Sequence, residues 1–426
     1  MPRTVHFNIK EHIVSGCHIR EYPGLTSGRQ EEDIRLHVKQ YTPRDQPLDG
    51  PEDGAVTLIA MQGVGFPKEL YEPLWDTLYH HSRSHGYSIR NIWMADMASL
   101  SMSSVLNEKT LSMDGSWADH SRDVFLMINH FRKEMPRPLV GVGHSCGGVQ
   151  LANLAHMHPR LFTTIILMDP AFIVNEKGDW LYYDAAISDT IHSKDLWRNR
   201  AEAAAFVENM YPHWDRRVKR RMIQYGFRDL PTALYPELPS GTDVADPPVT
   251  LTTSKHQMAL MLLRPCFDGK ETDGRAVFNR ETHPDVDPKR TGRPFYRPEA
   301  VPSAERMKTL RPSTLFLLGR RTDKVWVEAI RRTVEATGLA VGGSGGKPEG
   351  RVREVMVRGG HAFPFTAVEE TGLASSAWLG EEMGRYRERE REWVSERGRM
   401  SERDHLVLPT RWKEIFRPRD EVRSRL

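Results

Sequence analysis

Apolar and polar residues alternate along Ile34–Thr42 (IRLHVKQYT), the two-residue period of a half-buried strand. Residues 1–54 as a whole form a polar lead-in in which two short strands are expected. Pro and Gly punctuate Pro43–Gly54, and the pattern then changes. Ala55–Met61 is apolar and ends in the loop Gln62-Gly63-Val64-Gly65-Phe66-Pro67. Residues 68–85 have helical spacing, Tyr87–Met94 is a second apolar strand, and 118–134 are helical again. Pro138–Val142 predicts a short strand, Ser145–His158 a helix stopped by Pro159, and Thr163–Met168 another strand. Strand and helix thus alternate from 55 to 168, which predicts an α/β fold with a mostly parallel central sheet flanked by helices. The order resumes with a strand at Thr314–Leu318, a helix near 325–337, a strand at 352–357 and a long helix at 376–396.

Between Pro170 and Pro312 the alternation is lost. That stretch is too long for a loop and predicts an inserted cap, or lid, subdomain. The expected division is therefore a first part of the core at 1–170, the cap at 171–311, a second part of the core at 312–400 and a tail at 401–426. The cap holds Trp180, Trp197, Tyr211, Trp214 and the apolar run Met258–Leu263. These residues fit either the wall of an apolar channel or the core of the cap itself. Gly342–Gly350 (GGSGGKPEG) predicts a flexible connection by composition.

Composition removes several function classes. Lys+Arg 60 against Asp+Glu 57 leaves +3, which lacks the basic excess of a dedicated nucleic-acid binder. No apolar run reaches the ~18–20 residues of a membrane span. The start MPRTVHFNIKEHIV is too charged for a signal peptide. Cys17, Cys146 and Cys266 give neither a disulfide framework nor zinc-ligand spacing, and no metal or organic cofactor is expected.

The chemistry concentrates at Gly143-His144-Ser145-Cys146-Gly147, a G-x-S-x-G between an apolar strand and a helix. That setting is a nucleophile elbow, where a sharp turn lifts a serine hydroxyl above the sheet. Ser145 is the candidate nucleophile. A serine hydroxyl is weak at its own pKa and needs a base and an orienting acid. In chain order these follow as Asp or Glu, then His. His361 fits the base, since it follows the strand 352–357 and Gly359-Gly360. His144, His156 and His158 lie too near Ser145 in sequence to reach over its hydroxyl and read as structural.

Two residues fit the acid. Asp169 ends the strand Thr163–Met168, where an unpartnered carboxylate would be costly. Asp323 follows the strand Thr314–Leu318, but Arg320, Arg321 and Lys324 surround it. The backbone N–H groups of Cys146 and Val64 are the expected oxyanion donors. The Cys146 thiol itself reads as a small space-filling group. The basic run Arg216–Arg221 fits a solvated helix face or a cradle for the phosphates of a coenzyme A thioester. Ser424-Arg425-Leu426 keeps the small, basic, large-apolar chemistry of a terminal peroxisomal address, which an import receptor reads.

The segments GHSCGGVQLANLAHMHP, GVGFPKELYEPLW and IWMADMAS, with the Ser-Arg-Leu ending, resemble a fungal group of α/β-hydrolases from toxin and meroterpenoid pathways, peroxisomal acyl-CoA hydrolases among them. The likeness covers roughly 5–170 and 312–370 and little of the cap. It implies an α/β-hydrolase fold and a Ser/Asp/His triad with the acid after the strand that follows the elbow, here Asp169. It also implies hydrolysis of an acyl-CoA thioester in a peroxisome, with coenzyme A as part of the substrate. The same triad would serve an esterase, a lactonase, an acyltransferase or a cyclase, and the scaffold alone would suit a silent binding protein. The acyl group and the choice between monomer and homodimer are left open.

Overall fold

The structure is a computed structural model that describes residues 4–47, 50–174, 184–267, 270–272, 275–277, 279–286 and 294–416. An eight-stranded sheet runs through it. Its strands are β1 (Phe7–Ser15), β2 (Arg35–Pro43), β3 (Val56–Met61), β4 (Ile89–Ala95), β5 (Leu139–His144), β6 (Thr164–Met168), β7 (Ser313–Gly319) and β8 (Val352–Val357). Their order across the sheet is β1-β2-β4-β3-β5-β6-β7-β8. From β4 to β8 every pairing is parallel, and only β1–β2 and β2–β4 are antiparallel.

Burial follows position. β3, β5, β6 and β7 are buried at every residue, as strands covered by helices on both faces must be. The edge strand β1 buries little more than Phe7. The main helices are α1 (Glu72–Ser82), α2 (Trp117–His130), α3 (Cys146–Met157), α4 (Lys324–Ala336) and α5 (Val368–Gly398). The continuous helix expected at 68–85 is broken into a 3-10 turn at Lys68–Tyr71 and then α1. Pro73 sits in the first turn of α1, where its missing N–H has no partner to lose.

Two expectations change. The alternation in β2 predicts exposed polar positions, yet His37 and Lys39 are buried. Lys39 lies 3.0 Å from Glu69, and Lys68 lies 3.3 Å from Glu69 and 2.5 Å from Asp96. Glu72 completes this buried set, since it meets Lys39 at 3.8 Å and Arg221 at 2.5 Å. Three cations and three carboxylates thus neutralise one another where a lone charge could not be buried. The glycine-rich stretch 342–350 is not a loose connection either. Its backbone is hydrogen-bonded through Gly343 to Ala340, Ser344 to Leu310, Gly345 to Gly338 and Arg351 to Gly346.

The cap region is built from short pieces. Helices at Arg200–Met210, Arg216–Tyr225 and Lys255–Leu262 surround a three-stranded sheet of two- and three-residue strands at Leu196–Trp197, Phe227–Asp229 and Val249–Leu251. The chain divides into two compact units, Met1–Glu382 and Met383–Leu426, so the cap falls within the first unit and the division lies inside α5. The second unit contains the end of α5 and a short helix at Arg411–Ile415. Among the described residues no helix is long and apolar enough to cross a membrane.

Candidate active site

The strand register brings the site together. Met61 pairs with Gly143, His144 with Met168, and Met168 with Leu317. The loops after β3, β5 and β6 therefore leave the sheet at one level. Ser145 stands on the turn between β5 and α3 with φ 56° and ψ −123°. This left-handed conformation is strained for a residue with a side chain. Its backbone is pinned on both sides: Ser145 N–H donates to Met168 at 2.9 Å, while its carbonyl accepts from Gly148 and Ala171, each at 3.0 Å. The glycines are steric requirements. A Cβ on Gly147 would lie 2.4 Å from the Met61 carbonyl oxygen, and one on Gly143 would lie 2.6 Å from the Gly147 oxygen.

The His361 Nε2 lies 3.0 Å from Ser145 Oγ. Its Nδ1 lies 3.4 Å from Asp169 Oδ2, a close approach that is not aligned as a hydrogen bond. Bonds of this kind are often long before substrate binds. Asp169 is fully buried and is held from the far side, accepting from Gly319 N–H at 3.0 Å and Thr322 Oγ1 at 2.5 Å. Trp326 packs edge-on against the His361 ring at 5.1 Å. Asp323 is placed elsewhere. Its exposed carboxylate caps α4, accepting from Val325 N–H at 2.8 Å and Trp326 N–H at 3.3 Å. A short acid one residue before a helix is the usual cap, which explains its position after β7 without any link to His361.

The Cys146 N–H opens α3, where the first turn of a helix leaves backbone donors unpaired. Across from it, Gly63 comes close enough that a Cβ there would lie 3.2 Å from Ser145 Cβ. Val64 follows on that loop. The Cys146 thiol is buried and faces the Gln62 carbonyl at 3.6 Å. Burial pushes it up to about 12, so it remains a neutral filler at neutral pH.

His144, the residue before the nucleophile, is fully buried between Tyr71 and the backbone of His361. His156 is half-buried on the helix side. Neither Tyr71 nor Thr322 carries a sequence signal, because each acts through residues distant in the chain. Thr322 sits next to Asp323 in the Gly319–Lys324 loop, and only the fold shows which of the two faces the site.

The cap aromatics divide into two sets. Trp197 packs on Phe206 and Phe227 at 5.1 and 4.9 Å, inside the cap. Trp214 stacks on Tyr211 at 4.0 Å and reaches Phe365, in the short helix Phe363–Thr366, at 5.2 Å and Phe66, on the loop after β3, at 6.2 Å. Met258 lies over the loop that follows β3, its sulfur 3.1 Å from where a Gly65 Cβ would stand. Trp180 and Ser424-Arg425-Leu426 lie outside the described residues. The basic run Arg216–Arg221 is largely neutralised within the protein. Arg217 pairs with Asp215, Lys219 with Glu208, and the buried Arg221 with Glu72. Arg216 and Arg220 are exposed. Among the described residues, no group of three His, Cys, Asp or Glu side chains is placed to hold a metal ion.

Comparison with known proteins bears on the family and the fold. A family model described as serine aminopeptidase, S33, matches residues 110–216. The type I acyl-CoA thioesterase mpaH of Penicillium roqueforti (strain FM164) is 44% identical over 431 residues, covering 98% of this chain and 97% of that protein. The type I acyl-CoA thioesterase mpaH' of Penicillium brevicompactum is 45% identical over 427 residues, covering 97% and 96%. Among solved structures, the peroxisomal alpha-beta-hydrolase Lpx1 of Saccharomyces cerevisiae shares the fold at TM-score 0.64 and 16% identity, over 89% of this chain and 90% of that one.

Proposed function

Because the chain belongs to the α/β-hydrolase family, in the group of the type I acyl-CoA thioesterases, we propose that it hydrolyses an acyl-CoA thioester through an acyl-enzyme at Ser145. The observation that carries this reading is the 3.0 Å approach of His361 Nε2 to Ser145 Oγ, in a chain related to thioesterases along nearly its whole length.

The steps follow from the geometry. Ser145 Oγ attacks the thioester carbonyl carbon as His361 Nε2 takes the hydroxyl proton. The Asp169 carboxylate, beside Nδ1, holds the imidazole in the tautomer that can accept and stabilises the imidazolium that forms. The carbonyl oxygen gains charge and is met by the Cys146 and Val64 N–H groups. The C–S bond breaks, and the coenzyme A sulfur leaves with the proton from His361. Water then attacks the acyl-serine, with His361 as base, and the carboxylic acid is released. The steps as proposed call on no metal or organic cofactor.

The substrate is proposed to be an acyl-CoA formed during side-chain shortening in a fungal toxin or meroterpenoid pathway. Trp214 stacks on Tyr211, and Met258 lies over Gly65 on the loop that approaches Ser145, so the cap brings apolar groups toward the site, which suits a bulky, largely apolar acyl group. Peroxisomal import through Ser424-Arg425-Leu426 is part of the same proposal and rests on the chemistry of that tripeptide.

Release of free thiol from a panel of acyl-CoAs, beside simple esters, tests the reading. Thiol release by the native chain and not by Ser145→Ala, with thioesters far ahead of esters, supports it. Cleavage of esters alone would keep the triad and remove coenzyme A from the account.

A further inference from the structure

Three buried groups beside the triad form a chain with only one consistent proton arrangement. Gly63 N–H donates to Tyr71 Oη at 3.0 Å. Tyr71 Oη lies 2.7 Å from His144 Nδ1, and His144 Nε2 lies 2.9 Å from the His361 carbonyl oxygen. A carbonyl can only accept, so His144 Nε2 carries a proton. Burial, with His361 nearby, pushes the His144 ring down to about 3, so it is neutral and its Nδ1 must accept. The Tyr71 hydroxyl therefore donates to Nδ1 and accepts from Gly63. Every donor and acceptor is used once, and all run in one direction. Phe66 stacks on His144 at 5.6 Å and Phe365 packs on Tyr71 at 5.0 Å, so both rings are also held sterically.

The two ends of this chain matter. One is Gly63, which precedes Val64 in the oxyanion loop and lies against Ser145. The other is the backbone of His361, whose ring reaches Ser145 Oγ. We propose that Tyr71 and His144 are positioning residues, a one-way hydrogen-bond relay that fixes the oxyanion loop and the base loop relative to each other across Ser145. The relay neither touches substrate nor passes a proton to it. It sets the distance between two groups that must act on the same carbonyl, where a misplacement near 1 Å costs on the order of 10²-fold in rate. The inference rests on the serine-hydrolase reading of Ser145, so its test uses a probe that reports on that reading separately.

A fluorophosphonate provides it: Ser145 Oγ forms a bond to phosphorus, fluoride leaves, and the serine proton passes to His361. Wild type should be labelled once, at Ser145. Tyr71→Phe, which removes one hydroxyl, should lower both the labelling rate and acyl-CoA-turnover kcat by about 10–100-fold, with KM within about threefold. His144→Gln retains a donor and an acceptor, whereas His144→Leu retains neither. Gln should therefore recover about tenfold or more of the rate lost in Leu at equal folded fraction by circular dichroism. Equal rates in the Gln and Leu variants, or wild-type rates in Tyr71→Phe, would overturn the relay. Should Tyr71→Phe fail to fold, the Gln–Leu pair decides alone. Failure to label wild type at Ser145 would instead strike the serine-hydrolase reading itself.

Discussion

The loops at the carboxyl ends of the strands and the cap that meets them are held by different means. In the core, the critical groups are positioned through backbone: Ser145 by Met168, Gly148 and Ala171, and Asp169 by Leu317 and Gly319. Such contacts follow directly from the sheet register and leave little freedom. The cap is tied down mostly by side chains. Arg221 meets the buried Glu72, Arg264 meets Asp114, and Thr253 accepts from the backbone of Ser101. Its strands are only two or three residues long. The difference is one of anchoring: backbone register fixes where Ser145 and Asp169 stand, whereas the cap's seat on the core rests on side chains that can be replaced one at a time.

The sharpest way to break this comparison lies in the core. Asp169→Asn should lower kcat by about 10³–10⁴-fold, since the amide no longer holds the His361 tautomer. Asp323→Asn should leave kcat within about threefold, and even the loss of its capping bonds in Asp323→Ala should cost only about 1 kcal/mol of stability. Steady-state kinetics and thermal unfolding on these variants distinguish the two carboxylates. Equal kinetic losses at both positions would contradict the assignment.

Next comes the tie between cap and core. Arg221→Met leaves Glu72 with Lys39, at 3.8 Å, and the Tyr41 hydroxyl as its partners, and should destabilise the protein by about 3 kcal/mol in chemical denaturation. Its KM should rise more than its kcat falls. A larger kcat effect would mean that the cap helps to place the triad.

A smaller effect is expected at the surface the cap offers to substrate. Met258→Ala removes a half-buried side chain from above Gly65 and should alter the preference between acyl groups by about tenfold. Competition between two acyl-CoAs reads this directly. An unchanged preference would move the selecting surface away from that helix.

The last effect concerns acid. His120 on α2 is fully buried, and burial pushes it down to about 4 from an ordinary 6.5. Between those values the unfolded chain binds more protons, so the stability linked to this group is complete above pH 6.5 and is lost as pH falls towards 4. His120→Leu should flatten the loss of stability over that window by up to one proton. An unaltered slope would show that other groups govern the acid limb.

Much of the core was legible in the sequence because its constraints are local. The G-x-S-x-G turn needs small residues where backbones cross, and its flanking strand and helix show their periods plainly. His361 follows a strand and two glycines, a position that chain order alone selects. The acid was not settled that way, because Asp169 and Asp323 both follow strands; what separates them is Thr322 and the first turn of α4. The burial of Lys39 ran against its strand alternation, since the carboxylates that neutralise it come from Glu69 and Glu72. Tyr71 carried no signal, as its role depends on His144 and Gly63 meeting it in space. In the cap, strands too short to show a period left only aromatic residues as clues. Those divided between the interior of the cap, as Trp197 does, and the site, as Trp214 does.

The most direct test of the central claim is to mix the protein with an acyl-CoA that it turns over, quench within milliseconds, and digest it for peptide mass spectrometry. The account predicts a mass increase equal to the acyl group on the peptide containing Ser145, formed before steady state and absent in Ser145→Ala. Thiol release with no acylated peptide, or with the acyl group on another residue, would contradict it.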